Sequence, residues 1–365
     1  MDEYPIGVIV ASMGFGLGII FGITAQRSNF CTMGAISDVV LMGAWNRFRA
    51  WMLALAVALV ASQGLQAAGA FELSASIYLS ANLGWAGALI GGLLFGFGMT
   101  LAGGCANKTL VRLGAGNLKS LVVALVLGLF AYMTLRGLIA LARVELEDLT
   151  MIDLTAAGLE TQGIPDLLAA TGLPMAVARW AAVAVIAGGL LLFCFKCSRF
   201  RAAKADQIAG LVIGLLVPAG WWITGIAGRD EFDPVPLASL TFVASIGDGI
   251  QYLMTFTGAS INFGIAVVGG IIAGAFAAAW AAGDFRIESF TDAADMGRHL
   301  IGGALMGVGG VLALGCTIGQ GITGMSTLAV GSVIALLAII AGGVFGMKYQ
   351  EEESLRGALA AILGR

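Results

Sequence analysis

Charge is the scarcest property of this sequence: only 11% of its 365 residues are Asp, Glu, Lys or Arg, against about 25% in a soluble domain. So few charges cannot cover a water-facing surface of this size, and the apolar runs reach the ~18 residues that cross a bilayer. Histidine is almost missing. His299 is the single one, which excludes a bis-histidine haem and leaves any three- or four-ligand metal site to Cys and carboxylates. The net charge of −3 comes with no basic stripe, so nucleic acid is excluded as a partner. No P-loop, dinucleotide fingerprint or Ser-His-Asp set can be assembled, and the glycines from Gly14 to Gly22 lie inside an apolar run without a following Lys-Ser/Thr. Neither a cofactor nor a metal is therefore expected, and nothing in the chain points to ATP as an energy source. Acids are also rare inside the apolar runs, where Asp38, Asp248 and the Glu288 to Asp295 stretch fall at run ends or in short segments; a carboxylate proton relay is not built in. The acidic start, Asp2 and Glu3, runs straight into an apolar segment with no basic n-region or cleavage site, so that segment is expected to be retained.

What the chain has in quantity is apolar residues, at 59%, and 55 glycines. Glycine on this scale suits membrane helices, where small residues let backbones approach and let helices break around a cargo. Nine segments are long and apolar enough to cross, at about 5–24, 50–70, 83–102, 118–141, 177–195, 208–226, 262–282, 299–314 and 325–347. The expected fold is thus an all-α polytopic membrane protein. The stretches 28–44 and 236–258 are too short and too polar to cross and read as re-entrant segments buried in protein. Arg47 and Arg49, then Lys108, Arg112 and Lys119, then Lys196, Arg199, Arg201 and Lys204 mark cytoplasmic loops. Between them lie acidic stretches containing Glu72, Glu145, Glu147, Asp148, Asp153, Glu160, Asp166, Asp230, Glu231 and Asp233, which read as outside. Alternation over nine spans then places the N-terminus outside and Glu351 to Arg365 in the cytoplasm.

An internal repeat organises the chain. Gly91 to Cys105 aligns without gaps on Gly302 to Cys316, with nine of fifteen positions identical, both cysteines included. The first copy runs inward and the second outward, the inverted arrangement of secondary transporters. The expected division is an N-terminal half at 1–205, an inverted C-terminal half at 206–350 and a cytoplasmic tail at 351–365.

Each copy ends in Gly-Cys followed by polar residues: Gly104, Cys105 and Asn107 in one, Gly315, Cys316 and Thr317 in the other. A polar break at the end of an apolar helix points to a chain interruption lining a cavity. A single membrane cysteine is ordinarily a small buried hydrophobe, but duplication at the matching position argues for a role. A third break carries Asn29 and Cys31; its counterpart in the second half, around 218–224, has no cysteine. Arg27 beside it either marks the cytoplasmic edge or lends positive charge to an anion. Cys194 and Cys197 form a CxxC at a helix end beside a basic loop, with no βαβ pattern and no second ligand pair, and read as structural thiols rather than a redox or zinc motif. Five cysteines, an odd number and four of them in or at the end of apolar segments, do not make a disulfide framework.

The segments Gln26 to Cys31, Leu101 to Cys105 and Leu314 to Gly321 resemble the YeeE/YedE sulfur-transport family, across essentially the whole chain. That resemblance implies an α-helical permease with pseudo-symmetric halves, short re-entrant helices and an hourglass shape, which takes up thiosulfate through the bacterial inner membrane. It also implies that Cys31, Cys105 and Cys316 carry the transport, and that a small cytoplasmic sulfur-carrier protein is a partner. The chemistry agrees: a dianion with a soft terminal sulfur is costly to desolvate, and a neutral, polarizable thiol can hold it without trapping it. Cys316 is expected to meet the anion first from outside, with Cys31 and Cys105 deeper. Gly104, Gly315, Asn29, Asn107 and Thr317 complete the expected path. The alternatives are a carrier of selenium or other sulfur species, a membrane enzyme exchanging thiols or persulfides, and a structural subunit indifferent to its cysteines.

Overall fold

The structure, a computed structural model, describes residues 5–230 and 234–362. Asp2, Glu3, Glu231, Asp233 and Arg365, used above to orient the chain, lie outside the described residues. The helices are, in chain order, α1 (Ile6–Ser28), α2 (Thr32–Met42), α3 (Asn46–Ala67), α4 (Trp85–Leu101), α5 (Ala106–Gly114), α6 (Leu118–Arg136), α7 (Ile139–Thr150) and α8 (Ile164–Ala169). They continue as α9 (Met175–Phe195), α10 (Ser198–Ala202), α11 (Lys204–Trp222), α12 (Val243–Met254), α13 (Phe263–Ala282), α14 (Ala293–Leu312), α15 (Val330–Glu352) and α16 (Leu355–Ile362). The only sheet among the described residues joins β1 (Asn82–Leu83) to β2 (Ile152–Asp153).

The chain is an all-α polytopic membrane protein, and eight of its described helical stretches are long and apolar enough to cross. The eighth expected span, 299–314, which is not among these, falls within α14, which begins six residues earlier than expected and carries Asp295, Arg298 and His299 in its first turns. The span expected at 118–141 ends at Arg136, where Gly137 interrupts α6. The expected re-entrant segments are the short helices α2 and α12.

Small residues set the packing. A Cβ on Gly18 would stand 2.3 Å from the Val267 carbonyl oxygen, and one on Gly270 would stand 2.2 Å from that of Phe15. α1 and α13 thus approach backbone to backbone, a contact only glycine permits. In the same way α3 lies along α11, α4 lies against both α14 and α15, and α6 lies against α14 and α12. These contacts obey an exchange of halves. Replacing α1, α2, α3, α4 and α6 by α11, α12, α13, α14 and α15 turns the α1–α13 contact into α11–α3, the α4–α15 contact into α14–α6, and the α2–α15 contact into α12–α6, all of which are present.

The sequence repeat is a repeat of backbone as well. α4 and α14 each end in a left-handed residue, Gly103 at φ 67° and Leu314 at φ 57°. The Gly104 N–H donates to Met99 O at 2.9 Å, and the Gly315 N–H donates to Gly310 O at 2.7 Å, the same closing turn of a Schellman type. Leucine in that conformation costs about 1–2 kcal/mol, so the turn is held by its surroundings rather than by local preference. The segment after α15 is not a free tail: α16 returns against α15 and buries Ala358.

Candidate functional site

Three chain breaks converge on buried sulfur. Cys31 is the N-cap of α2 and accepts from the Gly34 N–H at 3.5 Å. Cys105 is the N-cap of α5. Cys316 stands between α14 and a π-helical turn at Gly319–Gly324, and accepts from the Gly319 N–H at 3.4 Å. All three are buried and none is in a disulfide. The expectation that cysteines end the spans needs one refinement: Cys31 and Cys105 begin the short helices that follow. Their sulfurs therefore sit at positive helix ends, where free N–H groups and the helix dipole favour negative charge.

The Cys31 and Cys105 sulfurs lie 3.8 Å apart, in van der Waals contact, although 74 residues separate them in sequence. The N–H groups of Lys108 and Thr32 face the Cys105 sulfur. Those of Gly319, Phe242 and Ile318 face Cys316. Because the Thr32 N–H faces Cys105 as the Phe242 N–H faces Cys316, the exchange of halves pairs Thr32 with Phe242 and puts Thr241 where Cys31 stands. The counterpart of the third cysteine is thus Thr241, and the expected position at 218–224 is corrected: that segment forms the end of α11 and a π-helical turn. A hydroxyl in place of a thiol makes one end of the path a single thiol and the other a pair.

Polar side chains also lie beside the thiols. The Thr32 and Thr317 hydroxyls and both the Nδ2 and Oδ1 of Asn107 are buried without a hydrogen-bond partner among the described residues. Thr32 adjoins Cys31, Asn107 is two residues beyond Cys105, and the Thr317 hydroxyl neighbours the Cys105 thiol. A buried polar group left unmatched costs about 1–3 kcal/mol, so these side chains carry a desolvation cost beside the thiols. Of the other expected path residues, Gly104 and Gly315 are buried in the two closing turns. Asn29 is exposed and accepts from Lys108 Nζ at 2.8 Å.

Residues that the sequence did not single out complete the surroundings. Tyr78 comes from short turns between α3 and α4 and is buried, with its ring edge-on to Trp221 and its hydroxyl beside Thr241 and Cys316. Gln320 donates from Nε2 to the Ala313 carbonyl and accepts from Ser332 Oγ at 2.5 Å, which locks the chain on the far side of Cys316. Among the described residues no group of three or more His, Cys, Asp and Glu side chains stands close enough to hold a metal ion.

The CxxC lies apart from this cluster. Cys194 donates to the Arg49 carbonyl at 3.2 Å, and Cys197 caps the short α10, where the backbone N–H of Phe200 holds its thiol below the ordinary value. Replacing both, Cys194→Ala with Cys197→Ala, is expected to lower stability by about 1 kcal/mol through the lost hydrogen bond and to leave anion uptake within about twofold of the parent. Uptake assayed at matched protein levels checks this, and a severe loss would put these thiols on the path.

The chain matches the family described as Sulphur transport over residues 27–345. It is similar to the thiosulfate transporter TsuA of Escherichia coli, with 27% identity over 329 residues, 85% of this chain and 86% of that protein. Similarity to the thiosulfate transporter TsuA of Spirochaeta thermophila is 30% over 314 residues, 84% of this chain and 89% of that one. The probable transporter YedE of Escherichia coli is 34% identical over 119 residues, 32% of this chain and 26% of its own length.

Proposed function

The chain belongs to the sulphur-transport family, a family of transporters rather than enzymes, and from that premise we propose that it is a permease for thiosulfate, or a closely related small sulfur anion, which passes by way of Cys316, Cys31 and Cys105. The observation that carries this reading is the meeting of three buried thiols with unmatched polar atoms on Thr32, Asn107 and Thr317. Thiosulfate needs donors for its sulfonate oxygens and a soft contact for its terminal sulfur. The N–H groups of α2, α5 and the Gly319 turn, with Asn107 and the two threonines, meet the first need. The thiols meet the second: each is a weak donor with a polarizable sulfur, and weak sequential contacts let an anion enter and leave.

No bond to sulfur forms or breaks in this reading. The anion exchanges the thiol of Cys316 for the thiol pair of Cys31 and Cys105, and each contact replaces part of its water shell. Relatives named as thiosulfate transporters that align over most of both chains support thiosulfate as the cargo.

The inferred setting is a bacterial inner membrane, with the N-terminus outside, the C-terminus in the cytoplasm, pseudo-symmetric halves at 1–205 and 206–350, and a cytoplasmic sulfur-carrier protein receiving the product. A reporter joined after Arg365 is expected to be active only in the cytoplasm; activity only outside would invert the orientation. The function itself is tested by growth of a sulfur-starved host that lacks its own uptake systems. Expression of this chain is expected to permit growth on thiosulfate as sole sulfur source, and growth that does not depend on the chain would remove the reading.

A further inference from the structure

The two ends of the path are built from matching segments but differ in charge. Lys108 stands on the first turn of α5, three residues beyond Cys105, close to both Cys31 and Cys105, and its ammonium donates to Asn29 Oδ1 at 2.8 Å. Arg112, one turn further along α5, donates from Nη1 to the Gly103 carbonyl at 2.8 Å. Both cations border the same closing turn: a Cβ on Gly104 would lie 3.2 Å from Lys108 Cβ and 3.8 Å from Arg112 Nη1. Among the described residues neither is paired with a carboxylate. Nearby basic residues are, since Arg47 is held by Asp38 at 2.5 Å and Lys119 by Asp295 at 2.7 Å.

Carrying the gap-free register of the repeat forward, Lys108 corresponds to Gly319 and Arg112 to Thr323. The surroundings of Cys316 are accordingly neutral, with Tyr78, Thr241 and the Gln320–Ser332 pair. One end of the path is a lone thiol among neutral groups, and the other is a thiol pair beside two cations that no carboxylate among the described residues pairs.

We propose that Lys108 and Arg112 form a charge-selective receiving site beside the Cys31–Cys105 pair, one that prefers a dianion to a monoanion and draws it off the thiols toward the cytoplasm. This inference rests on the thiol-path reading above. Neutral thiols do not distinguish charges, so selection by charge must come from elsewhere, and these cations are the groups placed to supply it. Tight trapping is avoided because Lys108 is only part-buried and already engaged by Asn29, so water and the amide compete for its ammonium.

The test uses the full chain in proteoliposomes and two anions with the same soft terminal sulfur: thiosulfate, a dianion, and methanethiosulfonate, a monoanion. Lys108→Gln is expected to lower thiosulfate uptake about tenfold or more and to raise the ratio of methanethiosulfonate to thiosulfate uptake by a similar factor. Lys108→Arg, which keeps the charge, is expected to hold the wild-type ratio, and Arg112→Gln to shift it in the same direction as Lys108→Gln. A ratio unchanged in both Gln variants, with thiosulfate still moved by the wild type, would overturn the charge-selective role while leaving the thiol path standing. Wild-type vesicles that take up neither anion would overturn the path and this inference together. If Lys108→Gln fails to fold, the Lys108→Arg and Arg112→Gln ratios decide the matter.

Discussion

Cys316→Ser is expected to reduce thiosulfate uptake by at least about thirtyfold while the protein inserts and unfolds much as the parent does. Serine is nearly isosteric with cysteine and a better hydrogen-bond donor, but it has no polarizable sulfur. If the site needed only a small polar group, serine would serve as well or better. Cys316 is buried, with its sulfur accepting from the Gly319 N–H at 3.4 Å, a contact that a hydroxyl can also accept, so the local fold survives the change. Cys105→Ser is expected to lose as much and to loosen the pair as well, since its sulfur is the one 3.8 Å from that of Cys31. Uptake of labelled thiosulfate into proteoliposomes, with thermal unfolding followed in parallel, checks both, and full uptake by either variant would reduce the cysteines to pore-lining spacers.

A second large effect is expected at Asn107, with stability and transport moving in opposite directions. Asn107 is wholly buried, and among the described residues both its Nδ2 and its Oδ1 lack partners. Replacing an unmatched buried amide with an apolar side chain of similar volume removes a desolvation cost, so Asn107→Leu is expected to raise stability by about 1–2 kcal/mol. Transport is expected to fall by about two orders of magnitude, because the path then loses the amide that stands in for the anion's water shell. Natural sites hold such costs where function requires them. A variant both less stable and fully active would contradict the assignment.

Much of this architecture was legible before any coordinates. The spans could be read because lipid demands long apolar runs, and the repeat because Gly91 to Cys105 and Gly302 to Cys316 still match without gaps. The closing turns at Gly103 and Leu314 follow from that match, although leucine hides the second one from a reading based on glycine. Other features depend on tertiary contacts that leave no periodic trace. Tyr78 lies in a stretch between α3 and α4 that composition assigns to an outer loop, yet two short turns fold it back against Trp221. Thr241 replaces a thiol at the position equivalent to Cys31, so sequence symmetry is lost where structural symmetry persists. Lys108 reads as a marker of the cytoplasmic edge, and only the fold of α5 sets it beside the paired sulfurs. The contact of Asn29 with Lys108, 79 residues away in sequence, likewise could not be read. The missing partners of Thr32, Asn107 and Thr317 could not be read at all, since an unmet hydrogen bond is a property of the surroundings.

The central claim is that the anion touches the three buried thiols as it passes. Its most direct test is the rate at which N-ethylmaleimide alkylates Cys31, Cys105 and Cys316 in the purified protein, resolved by mass spectrometry, with thiosulfate or sulfate present. The account predicts that saturating thiosulfate slows alkylation at all three by about fivefold or more, that sulfate does not, and that Cys197 is unaffected by either. Equal alkylation rates at Cys31, Cys105 and Cys316 with and without thiosulfate, in protein that still transports, would contradict it.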